Sequence, residues 1–469
     1  MITRASEWTS GEVASAVGGR LHGDSARKLA GVATDTRDAL RDQLFIALIG
    51  PRHDAHDFLE QAAKAGASAL LVRSGLDAAR VSKLAATATV IEVDDTLKAL
   101  GRLAKAHRKR LGPGLKVVGL TGSNGKTSTK EMLAAVLAEA GRVLKTEGNL
   151  NNWIGMPLTL LSAKKSHDYA VLEMGMNALG EIAWMTSLAE PNVGLVTNVG
   201  PAHVGELGGI ENVGKAKGEL FQGLPQKATM IVNLDDVRVV AQAALVTRPR
   251  RTFGRHASAD VRVASSETRG DAQIVTLDVD GHVVVATLPY PGMHNALNAA
   301  GAVAAATAMT TLAPAVIARG LSLSERAHGR METKTVGPFS LIDDAYNANS
   351  ASMIAAIETV SSRAKKEKKR FVAVLGEMRE LGDYSPEEHA RVGHAVSIAG
   401  CSVLATFGAL AAPIAGAANV KETRHEDSDD AALFAWLRDR LVPGDLVLVK
   451  GSRGIRMERF IERLQEAFA

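Results

Sequence analysis

The sequence predicts an α/β protein built from three domains. Its 469 residues exceed what one hydrophobic core usually organises, so several domains are expected. Short apolar runs alternate with segments of helical periodicity, a pattern typical of parallel sheets with crossover helices. A Gly-Pro-Gly turn at residues 112–114 marks one boundary. We therefore expect domains at residues 1–112, 113–326 and 327–469.

The first region predicts an α/β domain. Its apolar runs are QLFIALIG, ASALLVR and TVIEV, and helical stretches lie between them. It ends in a basic helix around Arg102–Arg110.

The second region predicts a parallel sheet. It begins with the apolar run KVVGLTG, a glycine-rich loop and a helical pattern, and further apolar runs follow (YAVLEMG, VGLVTNVG and TMIVNL). Residues 250–290 read as a small insertion of short strands with alternating polarity. The stretch Ala299–Ala318 has the length of a membrane span but lacks bulky apolar side chains, so we expect a buried helix there.

The third region predicts a second, smaller doubly wound sheet. It opens near Gly329, and its apolar runs are FSLIDDA, RFVAVLGE, CSVLATFG and DLVLVKG. Helical segments such as Ser352–Ser361 separate them.

Composition and charge exclude several classes of function. The 55 basic and 51 acidic residues leave a net charge of +4, which is too small to indicate a nucleic-acid partner. Two basic clusters, Lys105–Arg110 and Lys365–Arg370, fit solvated helix ends or loops better than phosphate sites. The single cysteine, Cys401, excludes an internal disulfide and lies in an apolar run, so we expect an inert thiol. Because the N-terminus has no apolar signal region, we expect a cytoplasmic protein without a membrane span.

The segment TGSNGKT predicts a phosphate-binding loop between a strand and a helix. Gly122 and Gly125 allow backbone N–H groups to approach a ligand, and the helix N-terminus adds partial positive charge. Lys126 would neutralise phosphate oxygens, and the hydroxyl of Thr127 suits magnesium. The full Walker pattern has glycine where this chain has Leu120, so the loop is a shortened variant. The combination predicts nucleotide binding.

Two polar side chains follow neighbouring strands of the predicted central sheet. Glu173 ends the run VLE, and His203 follows the next apolar run. Carboxyl ends of parallel strands face the ligand crevice, so both residues are candidate metal ligands. Alone, each also fits a simpler role, as a surface glutamate or a loop-fixing histidine.

Motifs along nearly the whole chain resemble those of the Mur ligases of peptidoglycan synthesis. They are ATDTR (33–37), TGSNGKTSTKEM (121–132), GNLNNWIGMPLTLL (148–161), LEMGMNALGEI (172–182), NVGPAHVGELG (198–208), KAKGELF (215–221), GMHNALNAAGA (292–302), GRME (329–332), DDAYNANSASM (343–353), LGEMRELGDYS (375–385) and KGSRGIRME (450–458). The resemblance implies an N-terminal UDP-sugar domain, a central ATP-binding domain and a C-terminal Rossmann-like domain.

The resemblance assigns two groups of residues to the sugar-nucleotide substrate. Asp35, Thr36 and Arg37 resemble a uridine-nucleotide segment, where an arginine fork suits a diphosphate. The asparagines Asn149, Asn151 and Asn152 resemble contacts to the sugar or its peptide, although asparagine also favours turns.

The resemblance also implies a magnesium site, with two ions expected. Glu173 and His203 match magnesium ligands, and Lys217 matches a lysine that family members carry as a carbamate. An ammonium beside magnesium would be repelled, whereas a carbamate supplies an anionic oxygen. Lys215 is a competing candidate, which only the alignment of motifs disfavours. Lys126, His203 and Lys217 are the expected catalytic residues.

ATP is expected between the second and third domains. Asn295 resembles an adenine-binding residue with His294 beside it, Arg330 a phosphate contact, and Asp344 a ribose-binding carboxylate. Asp343 should point away from Asp344 because strand side chains alternate. The full set of expected ATP-binding residues is Thr121, Gly122, Ser123, Asn124, Gly125, Lys126, Thr127, Ser128, Asn295, Arg330 and Asp344.

Among Mur ligases, the chain most resembles the branch that adds D-alanyl-D-alanine to UDP-N-acetylmuramoyl-tripeptide. It has no Asp-Asn-Pro-Arg motif, which the diaminopimelate-adding branch carries, and it has LGEMRELGDYS instead. Glu377, Arg379 and Glu380 therefore become candidates for the dipeptide pocket, with surface roles as the alternative. The implied partners are the UDP-linked tripeptide and the dipeptide, and we expect a monomer. Another Mur-type ligase, a small-molecule kinase and a nucleotide-gated binding module stay as alternatives.

Overall fold

The computed structural model describes residues 2–3, 8–326 and 329–468. Three main sheets run in sequence order along the chain, with six, nine and six strands, and helices flank them. This arrangement confirms the predicted α/β class with three domains. The predicted boundary at residue 327 lies outside the described residues.

The N-terminal region forms a six-stranded sheet and a two-stranded ribbon. Its elements are β1 (Ile2–Thr3), β2 (Trp8–Thr9), α1 (Ser10–Val17), β3 (Arg20–His22), β4 (Lys28–Leu29), β5 (Gly31–Ala33), β6 (Gln43–Ile46), a 3₁₀ turn (Ala55–Phe58), α2 (Leu59–Lys64), β7 (Ala69–Arg73), α3 (Ala78–Ala85), β8 (Thr89–Val93) and α4 (Thr96–Leu111). The sheet order is β1-β5-β6-β7-β8-β3, and β5 to β8 are parallel.

Helix α4 ties the first region to the second. Asp95 caps its N-terminus, and Gly112 ends it with a φ of +72°. Lys105 Nζ lies 3.6 Å from a carboxylate oxygen of Glu190, and buried Arg108 donates from Nε to the carbonyl of Ala189 at 3.2 Å. The prediction of a solvated helix end is therefore wrong for Arg108, because the second domain covers this face of the helix.

The central region forms a nine-stranded sheet. Its elements are β9 (Lys116–Thr121), α5 (Lys126–Ala138), β10 (Val143–Lys145), α6 (Gly155–Leu161), β11 (Tyr169–Glu173), α7 (Glu181–Ala189), β12 (Val193–Val196), α8 (Val204–Leu207), α9 (Ile210–Gly223), β13 (Thr229–Asn233), α10 (Val237–Ala244), β14 (Arg250–Gly254), β15 (Val261–Arg269), β16 (Ala272–Val279), β17 (His282–Leu288), α11 (Met293–Met309) and α12 (Pro314–Ser322). The order is β10-β11-β9-β12-β13-β14-β15-β16-β17. The first seven strands in this order pair in parallel, and the last three are joined by antiparallel hairpins.

Two details of this region differ from the sequence prediction. The insertion extends the central sheet, and β15, β16 and β17 have 9, 8 and 7 residues, longer than expected. The alternating polarity puts one face of these strands against the helices α11 and α12. The stretch Ala299–Ala318 belongs to two helices, because Thr310 is extended and Pro314 begins α12. In the chain that the structure describes, no helix is long and apolar enough to cross a membrane.

The C-terminal region forms a six-stranded, mostly parallel sheet. Its elements are β18 (Glu332–Val336), β19 (Phe339–Asp344), α13 (Ser350–Glu367), β20 (Phe371–Gly376), a 3₁₀ turn (Gly382–Tyr384), α14 (Ser385–Ala399), β21 (Val403–Phe407), a 3₁₀ turn (Ala409–Ala411), α15 (Ala412–Ala417), β22 (Glu422–Glu426), α16 (Asp430–Arg438), β23 (Leu446–Lys450), a 3₁₀ turn (Arg453–Ile455) and α17 (Glu458–Phe468). The order is β18-β19-β23-β20-β21-β22, with only the β18–β19 pair antiparallel. The basic cluster Lys365–Arg370 lies at the end of α13, as expected.

Candidate active site

A loop whose conformation requires two glycines connects β9 to α5. Gly122 has a φ of +146° and Gly125 a φ of +78°, values that L side chains rarely adopt. A Cβ at Gly122 would lie 1.9 Å from Thr197 Oγ1, and one at Gly125 would lie 2.2 Å from Asn298 Oδ1. Leu120 is fully buried in β9, so the loop begins later than in the full Walker pattern. The backbone of the loop is therefore fixed against its neighbours ahead of the helix N-terminus.

Lys126 stands at this helix N-terminus without an acidic partner. Its Nζ donates to the carbonyl oxygens of Gly122 and Ser123, at 2.8 and 3.3 Å. No ion pair reaches it from the described part of the chain. Burial lowers its pKa, the carboxylate of Glu173 opposes this shift, and the charge of Arg330 adds to it. An anionic ligand would supply the missing counter-charge.

The other polar side chains of the loop bind the protein itself. Thr121 Oγ1 donates to the carbonyl of Met174 at 2.7 Å, and Ser123 Oγ donates to the carbonyl of Gly200 at 3.0 Å. Asn124 receives the side-chain amide of Asn349, from the C-terminal domain, at 2.7 Å. Ser128 is buried in α5. Two backbone N–H groups of the loop also bind the protein, since those of Ser123 and Asn124 donate to the carbonyl and side-chain oxygens of Asn198 at 3.0 and 2.9 Å. The N–H groups at the start of α5 are therefore the natural phosphate donors.

Thr127 and Glu173, two predicted metal ligands, lie side by side. Thr127 Oγ1 is 3.1 Å from Glu173 Oε2, and the Glu173 side chain is buried at the end of β11. The amide of Asn151, predicted as a substrate contact, donates to Glu173 Oε1 at 2.8 Å. Hydroxyl and carboxylate oxygens suit magnesium, and Asn151 orients the carboxylate. The sequence did not indicate this contact because the two residues are far apart along the chain.

His203 meets two carboxylates, one of them from the C-terminal domain. Its Nδ1 lies 3.2 Å from Glu206 and 3.0 Å from Glu380. His203 and Glu380 both have positive φ, at +61° and +67°. The hydrogen bond from His203 lowers the pKa of Glu380. The three side chains could hold a cation between them. Glu380 was expected in the dipeptide pocket or at the surface, and its contact with His203 was not predicted.

Lys217 is a buried lysine on α9. Its side chain is 1% exposed, and no described residue gives it a hydrogen bond or an ion pair. Burial and the nearby charge of Lys126 hold its pKa well below the ordinary range. Lys215, the competing candidate, is exposed and donates to Asn212 at 3.2 Å. The two lysines are therefore physically distinct, and Lys217 is the one beside the phosphate loop.

A cavity of about 470 Å³ separates the phosphate loop from the C-terminal domain. The predicted residues Asn295, Arg330 and Asp344 all line it, together with His294. Asn295 donates to the carbonyl of Pro291 at 2.9 Å, so its amide is held in place. Burial lowers the pKa of His294 to about 4, which keeps the ring neutral at pH 7.

The C-terminal wall of the cavity carries Arg330 and Asp344. The Arg330 guanidinium stacks over the ring of Tyr346 at 4.6 Å from the centroid. Asp344 accepts from Lys450 Nζ at 2.6 Å and from the N–H of Met331 at 3.1 Å. As predicted, the adjacent Asp343 points elsewhere, toward Lys334 at 2.6 Å. The sequence did not indicate the two partners, Tyr346 and Lys450, although both lie within motifs that resemble the family.

The other predicted substrate residues lie outside this cavity. Arg37 pairs with Asp35 at 2.5 Å, which lowers the pKa of Asp35 to about 2, and Thr36 lies between them in the turn. Asn149 is exposed. Asn152 accepts the N–H groups of Ile154 and Gly155 at 3.1 and 2.8 Å, which supports the turn-forming alternative for this side chain.

Cys401 takes no part in the site. Its thiol donates to the carbonyl of Val403 at 3.1 Å, and burial raises its pKa to about 12. The thiol stays protonated at neutral pH, as predicted for an inert cysteine.

A phosphate loop that faces a second doubly wound domain across a cation-lined cavity defines a nucleotide-using enzyme. Family models agree with this class over most of the chain: the Mur ligase family catalytic domain matches residues 28–108, the Mur ligase middle domain residues 120–306, and the Mur ligase glutamate ligase domain residues 329–453. The chain belongs to the Mur ligase family and is an ATP-dependent, ADP-forming ligase.

Individual relatives cover nearly the full length. A UDP-N-acetylmuramoyl-tripeptide–D-alanyl-D-alanine ligase from Bacillus subtilis is 39% identical over 93% of both chains, and one from Escherichia coli is 37% identical over 98% of both. The crystal structure of MurF from Acinetobacter baumannii is 31% identical, with a TM-score of 0.90 over 99% of this chain and 100% of that one. The MurF ligase from Thermotoga maritima in complex with ADP is 26% identical, with a TM-score of 0.80 over 93% of this chain and 97% of that one.

Proposed function

We propose that this ligase joins D-alanyl-D-alanine to UDP-N-acetylmuramoyl-tripeptide, forming the UDP-linked pentapeptide of peptidoglycan synthesis. The names of the full-length relatives support this substrate pair. The observation that carries the proposal is the cavity, which two cations from different domains face without an acidic partner in the described part of the chain. Lys126 comes from the central domain and Arg330 from the C-terminal side. A polyphosphate would neutralise both.

The chemistry is the formation of a peptide bond driven by ATP. The terminal carboxylate of the tripeptide attacks the γ-phosphorus, and ADP leaves. The amine of the dipeptide attacks the acyl carbonyl of the resulting acyl phosphate, and phosphate leaves from a tetrahedral intermediate. The first step brings two anions together, so neutralisation by Lys126 and Arg330 is the main contribution of these residues. No covalent enzyme nucleophile is needed.

The oxygen donors beside the phosphate loop fit magnesium, and we propose two ions. Thr127 and Glu173 would hold one, with Asn151 fixing the carboxylate. His203, whose neighbours are Glu206 and Glu380, would contribute to the other. When bound, the ions would add positive charge at the phosphate oxygens.

Lys217 is proposed to carry a carbamate. In the carbamate reaction, a neutral amine adds to the carbon of carbon dioxide and loses one proton, which leaves an anionic oxygen. The buried, unpaired state of Lys217 and its lowered pKa support a neutral amine. Density extending beyond Nζ in a crystal structure would reveal the adduct, and a free ammonium there would contradict it.

The remaining contacts follow the division into domains 1–112, 113–326 and 327–469. Asn295 is proposed for the adenine and Asp344 for the ribose, and the Asp344 carboxylate has lone pairs beyond its two present bonds. Asp35, Thr36 and Arg37 are proposed for the uridine diphosphate. Asn149 and Asn152 are proposed to face the sugar and peptide, on the exposed segment before α6.

An assay of ADP release tests the proposal. We expect release only when ATP, UDP-N-acetylmuramoyl-tripeptide and D-alanyl-D-alanine are all present, and hydroxylamine should trap the acyl phosphate as a hydroxamate. A small-molecule kinase would release ADP without the dipeptide, and a binding module would release none. Either result would contradict the ligase function proposed here.

A further inference from the structure

Arg330 reaches the cavity on a side chain that few contacts restrain. Within residues 2–3, 8–326 and 329–468, its guanidinium has neither a hydrogen bond nor an ion pair. Its charge nevertheless lowers the pKa of Lys126 across the cavity. A free arginine side chain samples many rotamers, so holding it toward a ligand requires another contact.

The ring of Tyr346 provides that contact. The Arg330 guanidinium carbon lies 4.6 Å from the ring centroid, within the range of a cation–π interaction. A second guanidinium, that of Arg453, lies 5.8 Å from the same centroid. Arg453 also pairs with Glu458, whereas the ring is the one partner of the Arg330 guanidinium among the described residues. Tyr346 therefore matters most for Arg330.

The backbone around Arg330 is bound to the same turn. The N–H of Tyr346 donates to the carbonyl of Gly329 at 3.2 Å, and the N–H of Met331 donates to Asp344 at 3.1 Å. Gly329 and Met331 have φ values of +66° and +50°. Left-handed backbone at a non-glycine residue is unfavourable, so the turn holds Met331 in a conformation it would not adopt alone. Both the main chain and the side chain of Arg330 thus depend on the segment that carries Tyr346.

We propose that Tyr346 is a positioning residue that holds the Arg330 guanidinium over the phosphates of the bound nucleotide. The inference rests on the proposed ATP cavity and adds to it a residue that acts through Arg330. It requires the aromatic face of Tyr346 and not its hydroxyl, because no described group hydrogen-bonds to that hydroxyl.

Calorimetric titration with ADP and the ADP-release assay test the proposal on the full chain. Tyr346→Leu should weaken ADP binding and lower turnover by about tenfold, the upper range of a cation–π contact. Tyr346→Phe keeps the aromatic face and should stay within about twofold of the wild type. In the Arg330→Ala background, Tyr346→Leu should have no further effect, since the residue acts through that arginine.

Trp436→Leu is the matched control. Arg440 stacks over Trp436 at 4.3 Å in the same C-terminal domain, but neither residue lines the cavity. This variant should leave ADP binding unchanged. Thermal melting shows whether each variant is folded. If Tyr346→Leu does not fold, Tyr346→Met replaces it, since it also removes the aromatic face.

Three results would overturn the proposal. Tyr346→Leu could bind ADP as the wild type does, Tyr346→Phe could be as weak as Tyr346→Leu, or the loss could persist undiminished beside Arg330→Ala. Failure of the proposed function is distinguishable, because the wild type would then bind ADP normally yet release none in the presence of both substrates.

Discussion

Two arginines of the N-terminal domain and two cations of the cavity, Lys126 and Arg330, differ in whether an acidic side chain pairs with them. In the N-terminal domain, Arg37 pairs with Asp35 and Arg80 pairs with Glu60, at 2.5 and 2.8 Å. Lys126 and Arg330, which line the cavity, by contrast have no carboxylate within ion-pair distance among the described residues. Buried or half-buried cations without partners are unfavourable in an apo protein.

The paired arginines have their counter-charge within the fold, whereas the unpaired cations of the cavity would receive theirs from a bound ligand. A paired arginine can still bind a diphosphate, but it must share its donors with its carboxylate. An unpaired cation in a cavity gains its whole counter-charge from the ligand. We therefore expect substitutions of the unpaired cavity cations to affect activity far more than substitutions of the paired arginines.

Lys126→Ala should have the largest effect. It removes the cation at the helix N-terminus, and turnover should fall by about a thousandfold, the range seen when a charge-stabilising group is lost. The ADP-release assay with both substrates measures this. Because the hydrogen bonds of Lys126 within the described residues go to carbonyls of its own loop, the melting temperature should change little. Substantial residual turnover in a folded variant would contradict its role.

Arg330→Ala should have the second-largest effect, a loss of about a hundredfold in kcat/KM for ATP. Arg330→Lys keeps the charge but loses the planar stack on Tyr346, so it should recover only part of the activity. Steady-state kinetics at varied ATP separates the variants. Equal activity in Arg330→Lys and the wild type would mean that charge alone suffices.

Arg37→Ala should have a smaller effect confined to one substrate. Since Arg37 shares its donors with Asp35, we expect the KM for the UDP-linked tripeptide to rise about fivefold. The KM for ATP should be unchanged. A comparable rise in both constants would show that the turn does not act on the sugar nucleotide.

Glu60→Gln should have the smallest effect, on stability alone. The hydrogen bond from Arg80 lowers the pKa of Glu60 from 4.5 to about 2. A lowered folded-state pKa stabilises the protein above pH 4.5, and this stabilisation is lost as the pH falls toward 2. Both side chains are about one-third exposed, so the contribution should stay below about 1 kcal/mol.

Urea unfolding from pH 7 to pH 3 measures this difference. The wild type should exceed Glu60→Gln in stability at pH 7, and the gap should narrow as the pH falls. Turnover at pH 7 should match the wild type. A stability difference that widened as the pH fell would contradict the lowered pKa of Glu60.

Much of the fold could be predicted because its signals are local. The runs that became β9, β11, β12 and β13 are continuous apolar segments, as expected for strands buried on both faces. Strand β22 (Glu422–Glu426) was missed because an edge strand with the sequence ETRHE has no apolar run. The break between α11 and α12 was missed because the stretch Ala299–Ala318, which spans it, is rich in alanine on both sides.

In the site, too, local features could be predicted from the sequence and contacts between distant residues could not. The phosphate loop could be predicted from seven adjacent residues, whereas the contact of Asn151 with Glu173 and that of Glu380 with His203 join distant parts of the chain. Only the packed sheets and domains bring such pairs together. The stack of Arg330 on Tyr346 is of the same kind, since no short pattern links an arginine to a ring 16 residues later.

Equilibrium titration of ADP against four proteins tests the central claim most directly. These are the wild type, Lys126→Ala, Arg330→Ala and Arg37→Ala. If the unpaired cations form the nucleotide site, the two cavity variants should bind ADP at least about tenfold more weakly, and Arg37→Ala should match the wild type. Equal ADP affinity in all four proteins, each shown to be folded, would contradict the account.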